Sequence, residues 1–234
     1  MKPPESSTCH LCTIRDDRAN TPFAGLLTDR DHRTQVLSRD DHCLTIIDVA
    51  PIGPGHCLIV PARHRLSLAQ TSSEEKAAIA DAMAMAASAI AAAFSIETVF
   101  FEHGQCTEGV GVTGCGISHA HLHAVGRRDD AEIDRVGDLD LEPLANGIQG
   151  LNQYQSSAGY LFVQDGLGNA FACRPGKTAS GLLRSHFAWP GYLAEESHAH
   201  WSWSDHVTYA SLVGTGSRVS ANLDALTRAR GSST

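Results

Sequence analysis

The chain has 234 residues, 42% of them hydrophobic and 19% charged, with a formal net charge of -8. This composition is typical of a globular protein and excludes a wholly disordered chain, and the length suits one domain with an extension. The negative charge argues against a nucleic-acid partner but leaves room for a local pocket that binds one small anion.

Neither a targeting segment nor a membrane span is predicted. Residues 1–20 are polar, so they do not resemble a signal peptide or a targeting helix. The Ala-rich segment 77–94 is weakly apolar for a membrane span, because it is mostly alanine and contains Asp81 and Ser88. We therefore expect a cytoplasmic protein without a membrane partner.

Cys9 and Cys12 form a close pair among seven scattered cysteines. In a chain without an export signal, such a pair indicates a metal site or a redox pair rather than a disulfide framework. The two-residue spacing allows both thiolates to bind one tetrahedral ion. The redox alternative lacks its usual context, because no parallel strand-helix unit is predicted beside the pair.

Two strands and a helix are predicted next along the chain. The β-branched runs at 43–49 and 57–60 flank a Pro- and Gly-rich turn at 51–55, which predicts an antiparallel pair. Ser72 and Glu75 form a capping-box pattern directly before the Ala-rich run. This pattern predicts a helix that ends near Phe94.

A second pair of antiparallel strands is predicted at 98–102 and 117–125, on either side of a Gly-rich loop. Segment 127–157 is predicted as a connector with short helical pieces. A hairpin over 160–174 follows, then a helix near 180–187 that Pro190 ends.

The C-terminal segment contains two further features. A last helix is predicted around 218–230, and the stretch 198–203 is rich in His and Trp. With His206 this stretch could form an aromatic wall or a second metal site, although such residues more often pack at a domain junction.

His119, His121 and His123 alternate with apolar residues. Side chains alternate faces along a strand, so the three imidazoles should project from one face, each about 6 to 7 Å from the next. A solvated edge strand or an adventitious metal site would explain one histidine better than three in strict alternation after a Gly-rich loop. The pattern therefore favours a functional site.

The motifs together resemble the histidine triad family. Segment 119–125 (HAHLHAV) is similar to its triad, segment 55–64 (GHCLIVPARH) to its strand and following Pro-x-x-His, and segment 100–104 (FFEHG) to its penultimate strand. The similarity covers roughly residues 9–128. It implies an α+β fold, with an antiparallel sheet of about five strands and a helix packed across it.

The resemblance implies a role for each histidine. His121 would be the nucleophile that attacks phosphorus and forms a covalent nucleotidyl-histidine. Its other ring nitrogen should donate to a backbone carbonyl, because attack requires a neutral imidazole. His56 and His123 would contact the phosphoryl oxygens. Backbone amides near Cys115 and Gly116 could add an anion-binding turn.

The resemblance also implies a structural zinc ion. In the zinc-containing branch related to galactose-1-phosphate uridylyltransferase, the cysteine pair is completed by two histidines that correspond to His64 and His119. The four ligands would then be Cys9, Cys12, His64 and His119. His10 and His42 are possible substitutes.

Two positions depart from the family pattern. Glu102 stands where many relatives carry Asn or Asp, so it could meet a ribose hydroxyl or an amine, or could buttress a histidine. Cys115 and Gly116 replace the Gln and the Ser or Thr of many hydrolytic members. This change puts the usual contact with the leaving group, and plain hydrolysis, in question.

The resemblance leads to one expected organisation and several alternatives for function. We expect a triad domain at 1–128, a C-terminal α+β extension at 129–234, and a homodimer unless the extension covers the pairing surface. The expected activity is hydrolysis or transfer at the α-phosphate of a nucleotide conjugate. The alternatives are a phosphorylase or transferase with an acceptor other than water, and a non-catalytic, zinc-stabilised nucleotide-binding module.

Overall fold

The computed structural model describes residues 9–16, 36–48, 51–107, 117–175 and 181–192. The helices within these ranges are α1 (His10–Arg15), α2 (Ser73–Phe94) and α3 (Leu182–Phe187), with short 3-10 helices at Leu68–Gln70 and Gly147–Tyr154. The strands are β1 (Val36–Arg39), β2 (Cys43–Ile47), β3 (Cys57–Pro61), β4 (Thr98–Gln105), β5 (Leu122–Gly126), β6 (Arg135–Val136), β7 (Leu139–Asp140), β8 (Glu142–Pro143), β9 (Gly159–Asp165) and β10 (Ala170–Cys173).

Eight of these strands form one sheet in the order β1-β2-β3-β5-β4-β9-β10-β8, and neighbouring strands are antiparallel. The first five come from the predicted triad domain, and the last three belong to the predicted extension and continue the same sheet. The α+β fold with an antiparallel sheet and a helix across it is confirmed. The boundary between 128 and 129 stays a prediction.

Helix α2 packs across one face of the sheet. Its N-cap is Ser72, whose side chain accepts from the Glu75 N–H while the Glu75 carboxylate accepts from the Ser72 N–H, so the predicted capping box is confirmed. By length and composition alone this helix could cross a membrane. Its buried positions, however, recur every three or four residues and pack against the sheet: Ile79, Met83, Ala86 and Ile90.

The opposite face of the sheet carries α1 and α3. In β4, Phe100 joins the core beneath α2, whereas Phe101 belongs to the core that includes Leu183 and Phe187 of α3. This division follows from the alternation of side chains along a strand. Helix α1 packs farther along the same face, against side chains of β2 and β3.

The histidine segment is less regular than its alternation predicts. Strand β5 begins only at Leu122, so of the three triad histidines His123 alone lies within it. At this end of β3, Pro61 has no N–H to donate to a neighbouring strand, and the Ala120 N–H donates to the Arg65 carbonyl instead. The expected strand from 117 is therefore shortened.

Several predicted features lie outside the described residues. They are Cys115 and Gly116, the aromatic stretch 198–203 with His206, and the helix at 218–230.

Candidate active site and metal centre

Two cysteines and two histidines converge where α1 meets the segment before β5. Sγ of Cys9 lies 3.3 Å from Nδ1 of His119, and Sγ of Cys12 lies 3.3 Å from Nδ1 of His64 and 3.5 Å from that of His119. The four candidate ligand atoms all lie within 4.8 Å of one another. The residues predicted as metal ligands are therefore brought together in a cluster that could hold a metal ion.

The orientation of His119 suits metal binding. Its Nε2 lies 3.0 Å from the Pro61 carbonyl oxygen, an acceptor, so the ring proton is on Nε2. The lone pair of Nδ1 is then directed to the cysteines, and such a carbonyl partner is typical of metal-bound histidines. The His64 ring packs edge-on against the His119 ring, with centroids 4.8 Å apart.

The two thiols also favour a shared cation. A hydrogen bond from Cys12 lowers the pKa of Cys9 to about 3, and the same contact raises the pKa of Cys12. One thiolate is therefore already favoured in the cluster. Of the two possible substitutes, the exposed His42 is not part of this cluster, and the His10 side chain lies outside what the structure describes.

His121 has the orientation that a nucleophilic imidazole needs. Its Nδ1 lies 2.7 Å from the backbone carbonyl oxygen of His119, so Nδ1 carries the proton and Nε2 carries the lone pair. Its exposure of 8% exceeds the 4% of His123 and the 1% of His119, which makes it the most accessible member of the triad. The rings of His121 and His123 meet edge-on with centroids 5.0 Å apart.

His56 and His123 form a directed pair. Nδ1 of His56 accepts the Ile52 N–H at 3.1 Å, so the proton of a neutral His56 is on Nε2, 3.0 Å from Nδ1 of His123. His123 accepts at Nδ1 and must carry its own proton on Nε2. His56 is fully buried, with both ring nitrogens engaged within the protein, and thus lies behind His123.

The buried environment keeps both rings of this pair neutral. Burial lowers the pKa of His56 to about 3 and takes the pKa of His123 well below its usual value, and in both cases the charge of Arg184 adds to the effect. At neutral pH these imidazoles are hydrogen-bond donors and acceptors without charge.

Asp48 and Arg184 form a buried ion pair beside these histidines. A terminal guanidinium nitrogen of Arg184 lies 2.9 Å from Oδ2 of Asp48 and 3.4 Å from Nδ1 of His123. Asp48, His56 and His123 could by spacing alone hold a second metal ion. The guanidinium already neutralises the carboxylate and would repel a cation, so we assign them to an ion pair and its hydrogen-bond network.

Glu102 lies on the α2 side of the sheet. Its carboxylate accepts the Leu68 N–H at 2.9 Å and the Tyr160 hydroxyl, and neither partner is a histidine. Burial raises the pKa of Glu102 to about 7. These contacts tie a loop to the sheet.

Three residues of this region were missed at the level of sequence: Asp48, His103 and Arg184. Each carries a weak signal in the sequence. Asp48 directly follows an apolar strand, His103 follows Glu102 in a buried strand, and Arg184 interrupts the apolar segment of α3. Nε2 of His103 accepts the Leu183 N–H at 3.2 Å, which joins α3 to the site.

Residues 29–130 match the family model of the HIT domain. Among solved structures, the chain is similar to a HIT family hydrolase from Clostridium thermocellum (18% identity, 54% of this chain and 96% of that chain, TM-score 0.39). It is also similar to a zinc-bound histidine triad family protein from Mycobacterium smegmatis (21% identity, 54% and 80%, TM-score 0.38). A HIT-like protein of cell-cycle regulation from Bartonella henselae shares 24% identity over 47% of this chain and 82% of that chain, with a TM-score of 0.35.

Proposed function

We propose that this protein, with its HIT domain at 29–130, hydrolyses or transfers a nucleotidyl group through a covalent intermediate on His121. The observation that carries the proposal is the bond between Nδ1 of His121 and the His119 carbonyl. It directs a nucleophilic lone pair to Nε2 in the most accessible ring of the triad.

In this mechanism Nε2 of His121 attacks the α-phosphorus, and the bond from phosphorus to the leaving group breaks. The ring becomes positively charged, and the His119 carbonyl stabilises that charge through the Nδ1 proton. His123 donates its Nε2 proton in a hydrogen bond to a phosphoryl oxygen. Water or another acceptor then takes the nucleotidyl group from His121.

The buried positions refine the roles that the resemblance implies. His56 acts through His123, because its Nε2 proton is directed to Nδ1 of that ring. Glu102 supports the loop that contains Leu68 rather than contacting a ribose or an amine. A contribution from Cys115 and Gly116 remains part of the proposal.

The metal of the cysteine-histidine cluster is zinc in this proposal. A tetrahedral zinc ion has bonds of about 2.3 Å to sulfur and about 2.0 Å to nitrogen, which places the sulfur and nitrogen atoms roughly 3.5 Å apart. The three distances from Cys9 to His119, from Cys12 to His64 and from Cys12 to His119 (Sγ to Nδ1) are 3.3 to 3.5 Å, and all four ligand atoms lie within 4.8 Å of one another. Cys9, Cys12, His64 and His119 would close the ion off from substrate, so its role is structural.

Trapping the intermediate tests the nucleophile. The protein is incubated with a labelled adenosine phosphoramidate or dinucleoside polyphosphate, quenched, and searched by mass spectrometry for an acid-labile adduct on the peptide that contains His121. We expect His121→Ala to lose the adduct and to lower kcat at least about a thousandfold. The control is His186→Ala, since that imidazole bonds the Glu132 carbonyl at the surface of α3. Undiminished turnover in His121→Ala would contradict this mechanism.

Metal analysis tests the zinc site. We expect zinc in the wild-type protein near one equivalent and a clear loss in Cys9→Ser. Cys173→Ser is the matched control, because Cys173 lies in β10 outside the cluster. An unchanged stoichiometry in Cys9→Ser would reject this ligand set.

A further inference from the structure

Helix α3 brings a charged side chain into the histidine site from outside the matched family region. Arg184 is 4% exposed and lies 54 residues after residue 130, where the HIT match ends. It contacts both Asp48 and His123. The predicted extension therefore contributes directly to the surroundings of the triad.

The position of Arg184 is held from several sides. The preceding residue, Leu183, donates its N–H to His103, and the ring of Phe187 stacks on Phe101 with centroids 5.4 Å apart. Phe101 in turn stacks on His123 at 4.5 Å. Because α3 rests on the residues that support His123, the guanidinium is fixed relative to the triad.

Arg184 supplies a permanent charge that the histidines do not. Burial lowers the pKa of His103 to about 3, as it does for His56, and the pKa of His123 is also low. These rings are neutral at pH 7, whereas arginine stays protonated. A phosphate in such a buried site needs a cation as well as neutral donors, and arginine matches its geometry with two parallel N–H groups.

We propose that Arg184 is a phosphate-binding residue of the HIT site, contributed by the C-terminal segment, and that Asp48 holds its guanidinium in place beside His123. The inference deepens the proposed function and rests on it. With five N–H donors, one guanidinium can serve Asp48 and a phosphoryl oxygen together. The competing explanation is a buried ion pair that only stabilises the docking of α3.

The Asp48→Asn variant provides the background in which the two explanations are compared. Removing the carboxylate takes a negative charge away from the phosphate position, so inorganic phosphate, titrated by calorimetry, should bind several-fold more tightly. Burial lowers the pKa of His56, and the charge of Asp48 partly opposes this effect by raising it. Removing the Asp48 carboxylate therefore makes the His56 ring no easier to protonate. A gain in phosphate affinity therefore does not come from a newly charged His56. In this background a phosphate-binding Arg184 predicts that the affinity falls when the arginine is also replaced, whereas a purely structural pair predicts a lower Tm and a phosphate affinity that does not depend on Arg184.

Two variants of Arg184 complete the test. We expect Arg184→Met combined with Asp48→Asn, which leaves no unpaired charge, to bind phosphate roughly ten- to a hundredfold more weakly than Asp48→Asn alone. Arg184→Lys keeps the charge and the ion pair but loses the planar fork, and should bind several-fold more weakly than wild type. Arg135→Met is the control for net charge, because Arg135 is a surface residue of β6.

The inference would be overturned if both Arg184 variants left the affinity for phosphate unchanged. It would also be overturned if the folded wild-type protein did not bind phosphate. The adduct assay on His121, run in parallel, tests the proposed function separately. If the Arg184 variants form the adduct and have the kcat and KM of the wild-type protein, the proposed role of Arg184 is overturned. The proposal that His121 is the nucleophile then still stands. Phosphate binding that depends on Arg184 without any adduct supports the inference and removes the catalytic proposal.

Discussion

The backbone carbonyl of His119 lies 2.7 Å from Nδ1 of His121, while the imidazole of the same His119 faces the two cysteines of the candidate metal cluster. One residue therefore belongs to both sites: its ring to the cluster and its peptide group to the proposed nucleophile. A single backbone segment therefore links the cluster to the proposed nucleophile.

Loss of the proposed zinc should therefore reduce the proposed activity. We expect Cys12→Ser, or treatment with a chelator, to lower kcat about ten- to a hundredfold with a smaller change in KM, because the carbonyl that orients His121 is no longer held. Steady-state kinetics, with metal content measured on the same samples, checks this, and Cys173→Ser is the control. An unaltered kcat in metal-depleted, folded protein would contradict the coupling.

His56 should behave as a positioning residue. We expect His56→Ala to lower kcat about tenfold or more, because Nδ1 of His123 loses its donor. Glutamine offers both an acceptor for the Ile52 N–H and a donor for His123, so His56→Gln should recover most of the activity. Thermal unfolding of both variants separates this effect from destabilisation. Equal activities of the two variants would argue against orientation through a hydrogen bond.

The buried Glu102 predicts a pH-dependent stability. Its pKa rises from the ordinary 4.5 to about 7 in the folded chain, so the folded state binds more protons between these values. The contribution of Glu102 to the free energy of unfolding is most favourable below about pH 4.5. This contribution falls by roughly 3 kcal/mol as the pH rises from 4.5 through 7. We expect Glu102→Gln to gain stability relative to wild type as the pH rises over this window, measured by urea unfolding. The exposed Glu74→Gln is the control; a difference independent of pH would refute the assignment.

Gly104 should not tolerate a side chain. A Cβ at this position would lie 2.2 Å from the ring of Tyr160, its partner on the neighbouring strand β9. We expect Gly104→Ala to lower the free energy of unfolding by about 1–3 kcal/mol, because Tyr160 must leave its place beside Glu102. Gly166→Ala is the control, because the nearest atom to its new Cβ is the Thr98 carbonyl oxygen at 3.5 Å, an ordinary van der Waals distance. Equal stabilities of the two variants would contradict this packing.

Local patterns in the sequence predicted much of the secondary structure. The capping box of Ser72 and Glu75, the hairpin of β9 and β10, and the antiparallel β2 and β3 are each specified by neighbouring residues, and the structure confirms them. The regular strand expected through His119 was only partly formed. There, Pro61 and the carbonyl of Arg65 determine the hydrogen bonds, and neither contact is local.

The sequence by itself determined the alternating histidines and the cysteine pair, because side-chain type and spacing along one strand or one turn are local properties. Only the tertiary structure decided that Arg184 and Asp48, separated by 136 positions, meet beside His123. The reason is that β9 and β10 continue the sheet that β1 to β5 form and let α3 pack on its open face. Contacts of this kind depend on how whole elements pack, which short-range patterns do not encode.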